Sequence, residues 1–331
     1  MNNKQKEIII YNKNYNENLN TKIREGSRGI IVRDNKILIA YESKTNQLMI
    51  PGGGVEKDES LEECLLREIE EETGYQVKIC DKVVTIKEYY NDNIWINHYY
   101  SCEIISIKKA KLTENEKEER MTTQWVDINE CLNTFKTYSY CDFSNENKYK
   151  QGLYKREYLA LEEYFNYANL EVWDLYDINR NKLNKEHIRE TKLPEGCYHL
   201  VVHAWIKNSK DQYLISKRSK TRKANPLLYE CVGGSVIKNE NTYEGAIREA
   251  KEEVGIDLTN CPYKHIKTVT RKEFLDILDV YVFDYDGPAL LSLATTDEVE
   301  KVEWMTKSQI TCLFNEGKFV HTLKYFLDYQ I

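Results

Sequence analysis

Long apolar runs are absent from this sequence of 331 residues. Its N-terminal stretch has only three consecutive apolar residues, at positions 8–10, before Tyr11. A signal peptide or a membrane anchor needs a much longer apolar segment. We therefore expect a soluble protein of the cytoplasm that has no membrane partner.

Paired cysteines are also lacking. The nine cysteines are scattered along the chain, their number is odd, and no two of them stand in a Cys-x-x-Cys spacing. A disulfide framework or a zinc site would need paired or clustered cysteines. This usage is typical of proteins in a reducing cytoplasm.

The sequence has no excess of positive charge. Its 47 Lys and Arg residues stand against 54 Asp and Glu residues, which gives a formal net charge of −7. Binding to a nucleic-acid backbone usually requires a basic surface, so we expect no nucleic-acid polymer as a partner. Small phosphorylated ligands are compatible with this charge, because a bound metal ion supplies positive charge locally.

The stretch Gly53–Tyr75, GGVEKDESLEECLLREIEEETGY, joins a glycine loop to a strongly acidic segment. Ser60 is a suitable N-cap, and Gly74 is suitable for the position after the last helical turn. The pattern predicts a helix that runs from Leu61 to Thr73.

The helical phase places three acids together. At about 100° per residue, one face of the helix begins with apolar side chains and ends with carboxylates. These residues are Leu61, Cys64 and Leu65, followed by Glu68, Glu71 and Glu72. Ionised carboxylates on a core-facing stripe repel one another and lose hydration, so they require a compensating cation. Clustered oxygen ligands suit Mg²⁺, or Mn²⁺ as a substitute.

The same arrangement occurs a second time. The offset is constant, since 234 − 53 and 248 − 67 both equal 181. The fixed positions of the second stretch are Gly234, Glu240, Arg248, Glu249, Glu252, Glu253 and Gly255. The phase is kept as well, because small residues at 242, 245 and 246 lead into the three acids along one face.

Both stretches match the Nudix box, G-x5-E-x7-R-E-U-x-E-E-x-G-U with U apolar, at every fixed position. The chain therefore resembles a tandem member of the MutT/Nudix hydrolase family. This resemblance implies an α/β fold class with two Nudix-fold α/β/α sandwich domains in tandem, each with a mixed sheet. We predict a first domain at 1–168, with its box at 53–75 and a polar insertion at about 136–151. The second domain is predicted at 169–331, with its box at 234–256.

Other periodic stretches predict the remaining elements. The apolar runs 29–32 and 36–40 flank Asp34 and Asn35 and predict a hairpin, whose counterpart in the second half is 198–206 with 212–217. Helical spacing at 154–167 and at 319–329 predicts one closing helix in each half.

The family's reaction is hydrolysis of a nucleoside diphosphate linked to another group X, by attack of water on phosphorus. The resemblance implies catalytic roles for Glu68, Arg67, Glu249 and Arg248. It implies as metal ligands Gly53, Glu68, Glu71, Glu72, Gly234, Glu249, Glu252 and Glu253. It leaves supporting roles to Glu59 and Glu240 and to the loop acids Glu119 and Glu298. The implied cofactor is Mg²⁺, replaceable by Mn²⁺, and the implied partner is a small nucleotide-diphosphate substrate.

Two alternatives stay open. The second half is similar to the isopentenyl-diphosphate-isomerase branch of the family, with His187, His199 and Cys231 near that enzyme's functional segments. The isomerase's Cys-Gly-His-Pro-type run is absent, however, and a core or hydrogen-bonded role is the simpler interpretation of His199 and His203. In the other alternative, one domain binds a nucleotide without cleaving it.

The sequence leaves substrate specificity open. Aromatic candidates for stacking on a base are Tyr41, Tyr89, Trp95 and Tyr281, and core packing is the simpler interpretation of each. The oligomeric state, the activity of each half and the identity of the catalytic base among the box glutamates are open as well.

Overall fold

The computed structural model describes residues 6–11, 22–90, 93–108, 110, 121–143 and 148–328. The chain divides into two compact units, Met1–Glu171 and Val172–Ile331. Each unit combines helices with mixed sheets, which confirms the predicted fold class. None of the helices in the described ranges has the length and apolar character needed to cross a lipid bilayer.

The first unit contains two sheets and the acidic helix α1 (Leu61–Thr73). Its strands are β1 Glu7–Tyr11, β2 Lys22–Ile30, β3 Val32–Arg33, β4 Lys36–Glu42, β5 Gln47–Met49, β6 Gly52–Gly54, β7 Tyr75–Tyr90, β8 Asn93–Ile107 and β9 Met121–Asp127. The larger sheet has the order β1-β7-β8-β2-β6, in which β1 is parallel to β7 and β2 is parallel to β8. In the smaller sheet, β4 lies between β3 and β5 in the order β3-β4-β5 and also pairs with β9.

Helix α1 begins and ends at the predicted residues. The Glu63 N–H donates to Ser60 Oγ at 3.2 Å, and the Ser60 N–H donates to Glu63 Oε2 at 2.9 Å. This capping box satisfies backbone donors that the first helical turn leaves open. Gly74 follows the helix with a φ of 72°, a left-handed conformation that glycine adopts without a Cβ clash.

The apolar face of α1 packs against the strands. Cys64, Leu65 and Ile69 are fully buried, and Leu65 and Ile69 form a cluster with Leu38 of β4 and Val77 of β7. Burial of one such side chain stabilises the fold by about 1.5–3 kcal/mol. This packing fixes the orientation of the acids that follow on the same face.

Two helices follow β9 in the first unit, where the sequence predicted one. Helix α2 spans Ile128–Lys136 and was missed, whereas α3 spans Lys148–Tyr167. The predicted start at residue 154 was therefore too late. Part of the predicted insertion at 136–151 forms a 3₁₀ turn, Thr137–Ser139, and residues 144–147 of that insertion lie outside the described ranges.

The second unit contains a seven-stranded sheet and a two-stranded hairpin. Its strands are β10 Val172–Tyr176, β11 Lys182–Ile188, β12 His199–Lys207, β13 Gln212–Arg218, β14 Tyr229–Glu230, β15 Val232–Ser235, β16 Tyr263–Arg271, β17 Asp276–Asp284 and β18 Val299–Thr306. The seven-stranded sheet has the order β14-β13-β12-β17-β16, with β15 on β12 and β18 on β13. Strands β12 and β17 are parallel, and β10 and β11 form the hairpin.

The second box helix, α4 (Thr242–Val254), repeats the capping of α1. Asn241 supplies the N-cap and Gly255, with a φ of 69°, follows the last turn. Ala246, Ala250 and Val254 are fully buried on one face. Small side chains thus place this helix against the sheet as the larger ones of α1 do in the first unit.

The closing helix predicted at 319–329 was wrong in type. The described part of the second unit ends with helix α5 (Lys307–Asn315), which was not predicted, and a 3₁₀ helix, His321–Leu327. Val320, Leu323 and Phe326 are buried, and their spacing of three suits the three residues per turn of a 3₁₀ helix. Residues 329–331 lie outside the described part of the chain.

Candidate active sites

In the first unit, the glycine loop lies directly against two acids of α1. Strand β6 pairs with β2, with Gly53 opposite Ser27. The Gly52 N–H donates to Glu72 Oε2 at 2.9 Å. A Cβ atom at Gly53 would overlap the carboxyl group of Glu68. The close approach of backbone and carboxylate therefore requires glycine at this position.

Arg67 joins the first set of acids. Its guanidinium donates to both carboxylate oxygens of Glu59, at 2.8 and 2.9 Å. Its Nη1 donates to Glu68 at 2.8 Å and to Glu71 at 3.4 Å. The hydrogen bonds from Arg67 lower the pKa of Glu59 to about 2, so that this carboxylate stays ionised at neutral pH.

The second unit repeats this geometry residue by residue. Arg248 donates to the two oxygens of Glu240 at 2.8 and 3.2 Å, and its Nη1 donates to Glu249 at 3.0 Å and to Glu252 at 2.9 Å. A Cβ atom at Gly234 would overlap the carboxyl group of Glu249. In both units the structure therefore brings together the glycine, the arginine and the acids that the sequence singled out.

The burial of the acids increases toward the sheet. Glu72 and Glu253 are buried, with 7% and 2% of their surface exposed. Glu68 and Glu249 are largely covered, whereas the side chains of Glu71 and Glu252 are 35% and 37% exposed. Each acid set thus has a buried and an accessible end, as a cleft that admits a ligand requires.

Glu253 lies where burial and neighbouring carboxylates make ionisation of its carboxyl group unfavourable. Burial raises the pKa of Glu253 well above its usual value, and the charges of Glu249, Glu230 and Glu298 raise it further. The Gly233 N–H lies 3.4 Å from Glu253 Oε2. Like charges gathered in a buried place favour the uptake of a cation.

A group of charged residues in the second unit was not predicted from the sequence. Arg218 Nη1 donates to both oxygens of Glu230 at 2.7 Å, and this ion pair is largely buried. Arg222 forms an ion pair with Glu298, the acid predicted in a supporting role. Glu230 directly precedes Cys231 and the glycine loop, and this position is the signal that could have identified it.

The first unit has different residues at these positions. In β5, Met49 pairs with Ala40, as Glu230 in β14 pairs with Ser216. Met49 also stands 181 residues before Glu230, at the offset of the two boxes. Glu119, the predicted loop acid of the first half, lies outside the described ranges. The two sites therefore share their box residues but differ in the charges beside them.

The donor chemistry of both sites fits a divalent cation. Carboxylate oxygens and loop carbonyls are hard ligands of the kind that Mg²⁺ and Mn²⁺ prefer. Arg67 and Arg248 donate hydrogen bonds to oxygens of these carboxylates. Among the described residues, no group of three His, Cys, Asp or Glu side chains is arranged as a preformed metal site. The fit rests on the types of donor and on the crowded charge around Glu253.

The histidines of the second unit lie in packed surroundings. The ring of His199 stacks on Trp173 at 3.9 Å, and burial lowers the pKa of His199 to about 4. His203 Nδ1 lies 2.8 Å from the Tyr325 hydroxyl, and burial lowers its pKa to about 3. Burial also raises the pKa of the Cys231 thiol. These contacts are those of core and hydrogen-bonded side chains.

His187, the third histidine considered for the isomerase alternative, is also buried. Its Nε2 lies 2.9 Å from the Thr191 hydroxyl. Its ring centroid is 6.3 Å from that of Trp173. This histidine therefore lies in packed aromatic surroundings, as His199 and His203 do.

Known proteins share parts of this sequence. The family model described as NUDIX domain matches residues 24–141 and 198–329. An uncharacterized Nudix hydrolase of Listeria innocua is 38% identical over 155 residues, which cover 46% of this chain and 89% of the relative. Another from Listeria monocytogenes is 35% identical over 155 residues, with the same coverage. The crystal structure of a Deinococcus radiodurans protein matches with a TM-score of 0.40 and 21% identity, over 45% of this chain and 92% of that one.

Proposed function

This chain belongs to the Nudix family of pyrophosphohydrolases, and we propose that it hydrolyses the diphosphate linkage of nucleoside diphosphates joined to another moiety. Water would attack one phosphorus and release a nucleoside monophosphate. The observation that carries this proposal is the doubled set of acids, each joined by one arginine and packed against a glycine loop. The net charge of −7 supports a small substrate over a nucleic-acid polymer.

Enzymes of this family use divalent metal ions, and we propose Mg²⁺, replaceable by Mn²⁺. When bound, such an ion neutralises charge on the diphosphate and lowers the pKa of the attacking water. The proposed ligands of the first site are Glu68, Glu71, Glu72 and the carbonyl of Gly53. Those of the second site are Glu249, Glu252, Glu253 and the carbonyl of Gly234.

The remaining roles follow from the contacts of the arginines. Arg67 and Arg248 each fix one acid that we propose as a ligand or as the general base, Glu68 or Glu249. Glu59 and Glu240 hold these arginines from the start of the helix, so we assign them a supporting role. For Glu298 we propose a supporting role through its ion pair with Arg222.

Differences between the two units also support the proposal that they contribute unequally to the reaction. The buried Arg218–Glu230 ion pair occurs beside the second acid set, whereas Met49 occupies the position of Glu230 in the first unit. One unit would then cleave the substrate while the other binds it. We further propose a reducing, cytoplasmic environment, because all nine cysteines are free thiols.

A panel of nucleoside diphosphate derivatives, assayed with Mg²⁺ and with Mn²⁺, tests the proposed function. We expect Glu68→Gln to remove any turnover by the first unit and Glu249→Gln to remove any turnover by the second. Together they should lower turnover by about 10²-fold or more, because the base or ligand is lost from both sites. The readout is the nucleoside monophosphate released, separated by chromatography.

Glu62→Gln is the matched control for this experiment, because Glu62 is an exposed acid on the same helix as Glu68. It should leave turnover unchanged. Normal turnover in the Glu68→Gln, Glu249→Gln double variant would refute the assigned sites, and the two single variants decide which unit acts.

A further inference from the structure

The hairpin β10–β11 of the second unit lies against residues 236–240, a segment that joins β15 to the box helix α4 and that we call the connector. Two acids of the hairpin, Asp174 and Glu186, stand directly opposite each other in the strand pairing. Both are buried, with 4% and 1% of their surface exposed. Like charges in opposed positions destabilise a strand pair, and buried carboxylates need compensating partners. The partners of these two acids therefore indicate what the hairpin holds.

The hairpin fixes the connector at two successive residues. The Asn239 N–H donates to Asp174 Oδ2 at 2.9 Å. Lys238 Nζ lies 3.2 Å from Glu186 Oε1, and the Lys238 N–H donates to the carbonyl of Val172 at 2.7 Å. Backbone and side chains of the hairpin thus both bind the connector.

The hairpin is itself attached to the large sheet of the second unit. Tyr176 exchanges two backbone hydrogen bonds with Tyr198, each at 2.8 Å. In the turn between the two strands, Arg180 donates to Asp279 of β17 at 2.8 Å. The hairpin is therefore a support that transmits the position of the sheet to the connector.

The connector continues this chain of contacts to the acid set. The Ile237 N–H donates to Glu240 Oε2 at 3.2 Å, and the Glu240 N–H donates to the Ile237 carbonyl at 3.1 Å. Glu240 accepts from Arg248, which in turn donates to Glu249 and Glu252. A displaced connector would therefore displace Arg248 and the two acids that it orients.

The first unit has a connector of the same local shape. The Glu56 N–H donates to Glu59 Oε2 at 2.9 Å, and the Glu59 N–H donates to the Glu56 carbonyl at 3.3 Å. Asp58 has a φ of 66°, the same value as Asn239. Lys57 and Asp58, which stand 181 residues before the two bound residues of the second connector, are exposed. The two connectors thus share their internal bonds but differ in burial at the positions that the hairpin binds.

We propose that the hairpin β10–β11 positions the second acid set, with Asp174 as its main positioning residue, and that this support makes the second unit the faster of the two in hydrolysis. The inference rests on the proposed function for the reaction. It goes further by assigning the geometry of Arg248 and Glu249 to a segment outside the box.

Hydrogen exchange of the wild-type full chain, without metal or nucleotide, is the first test. The amides of Lys238 and Asn239 should exchange at least about tenfold more slowly than those of Lys57 and Asp58, because the hairpin must move before they open. Equal exchange at the two connectors would overturn the inference. This readout depends neither on hydrolysis nor on the folding of a variant.

Kinetics in a Glu68→Gln background, where only the second unit turns over, are the second test. We expect Asp174→Ala to lower kcat about tenfold and to change KM by less than about twofold, because a shifted catalytic group slows the reaction more than it weakens substrate binding. Asp174→Asn keeps an oxygen that accepts the Asn239 N–H, so it should restore most of kcat.

Lys182→Met is the matched control for stability. Lys182 Nζ lies 2.6 Å from Asp174 Oδ2 on the more exposed side of the hairpin and does not bind the connector through that contact. The control should lower the melting temperature and leave kcat unchanged. Melting temperatures above the assay temperature would show that the variants are folded.

The outcomes separate this inference from the proposed function. No turnover of any nucleoside diphosphate derivative by wild type would refute the proposed function, and this inference with it. If wild type is active, the same kcat for Asp174→Ala as for Lys182→Met would overturn the inference alone. Faster turnover by the Glu249→Gln variant than by the Glu68→Gln variant would do so as well.

Discussion

Gly53 and Gly234 lie where the loop of each unit meets an acid of its box helix. Neither residue has a positive φ in the structure, so backbone conformation does not explain the glycine. The reason is space, because a side chain of any size would displace Glu68 or Glu249. The glycines therefore control the position of the acids.

Gly53→Ala tests this role in a Glu249→Gln background, in which only the first site turns over. We expect turnover to fall about 10–100-fold, since a displacement of about 1 Å in a catalytic group has an effect of that size. Gly152→Ala is the control, because a Cβ atom there would meet its nearest neighbour at 3.9 Å. The control should keep full activity and gain about 0.5–1 kcal/mol of stability from the helix interior. Equal activity of both variants would contradict the steric role.

At the residue scale, the sequence predicted the arrangement of residues that lie close together along the chain. The box acids follow one another at helical intervals, so their common face could be inferred before the structure was known. The Arg218–Glu230 and Arg222–Glu298 pairs could not, because their members are far apart in sequence and meet only when β13, β14 and the loop before β18 come together. Such pairs carry no periodic signal.

At the element scale, one buried carboxylate connects three parts of the second unit. Asp279 on β17 accepts hydrogen bonds from Arg180 at 2.8 Å, in the turn between β10 and β11, and from Thr242 at 2.6 Å, at the start of α4. Burial alone would raise the pKa of Asp279, but the hydrogen bonds from Arg180, Thr242 and Thr268 outweigh it and lower the pKa to about 2. This residue fixes the hairpin and the box helix to the sheet.

The stability of the second unit should depend on this carboxylate in a defined range of pH. Because its folded pKa of about 2 lies below the ordinary value of 3.8, its contribution is fully present above pH 3.8 and is lost as the pH falls toward 2. We expect Asp279→Asn to lower the free energy of unfolding by about 2 kcal/mol at pH 7 and by much less near pH 2.

Urea unfolding at pH 7, 5, 3 and 2 measures this dependence. Asp284→Asn is the matched control, because Asp284 lies exposed at the end of the same strand. It should leave the unfolding midpoint unchanged at every pH. An equal loss of stability for Asp279→Asn at all four pH values would show that packing, and not the charge, makes its contribution.

Helices were predictable where residues at their own ends, such as capping residues, mark the first and last turns. Ser60 and Gly74 gave the limits of α1, and the structure has the same limits. The nine-residue helices α2 and α5 have too few turns for a distinctive apolar period. The apolar spacing of three near the C-terminus belongs to a 3₁₀ helix, where an α-helix was predicted. Short elements therefore depended on tertiary packing that the sequence does not reveal.

At the scale of the whole molecule, the two units share one arrangement of acids and differ around it. The first unit has Met49 at the position that Glu230 occupies in the second unit, and an open cavity bordered by Leu48. The second unit has Glu230 and Tyr229 at those positions, with an arginine bound to the acid and a C-terminal segment on the tyrosine. Duplication of the box is therefore compatible with a division of work between the units.

The central claim is that each acid set takes up a divalent ion next to a diphosphate. The most direct measurement is a titration of the full chain with Mn²⁺, followed by electron paramagnetic resonance, in the presence of a nucleoside diphosphate analogue with a non-hydrolysable bridge. We predict that wild-type protein binds Mn²⁺ and that Glu72→Gln combined with Glu253→Gln abolishes this binding, because a ligand is lost from each site. Absence of Mn²⁺ uptake by wild type, or equal uptake by the double variant, would contradict the claim.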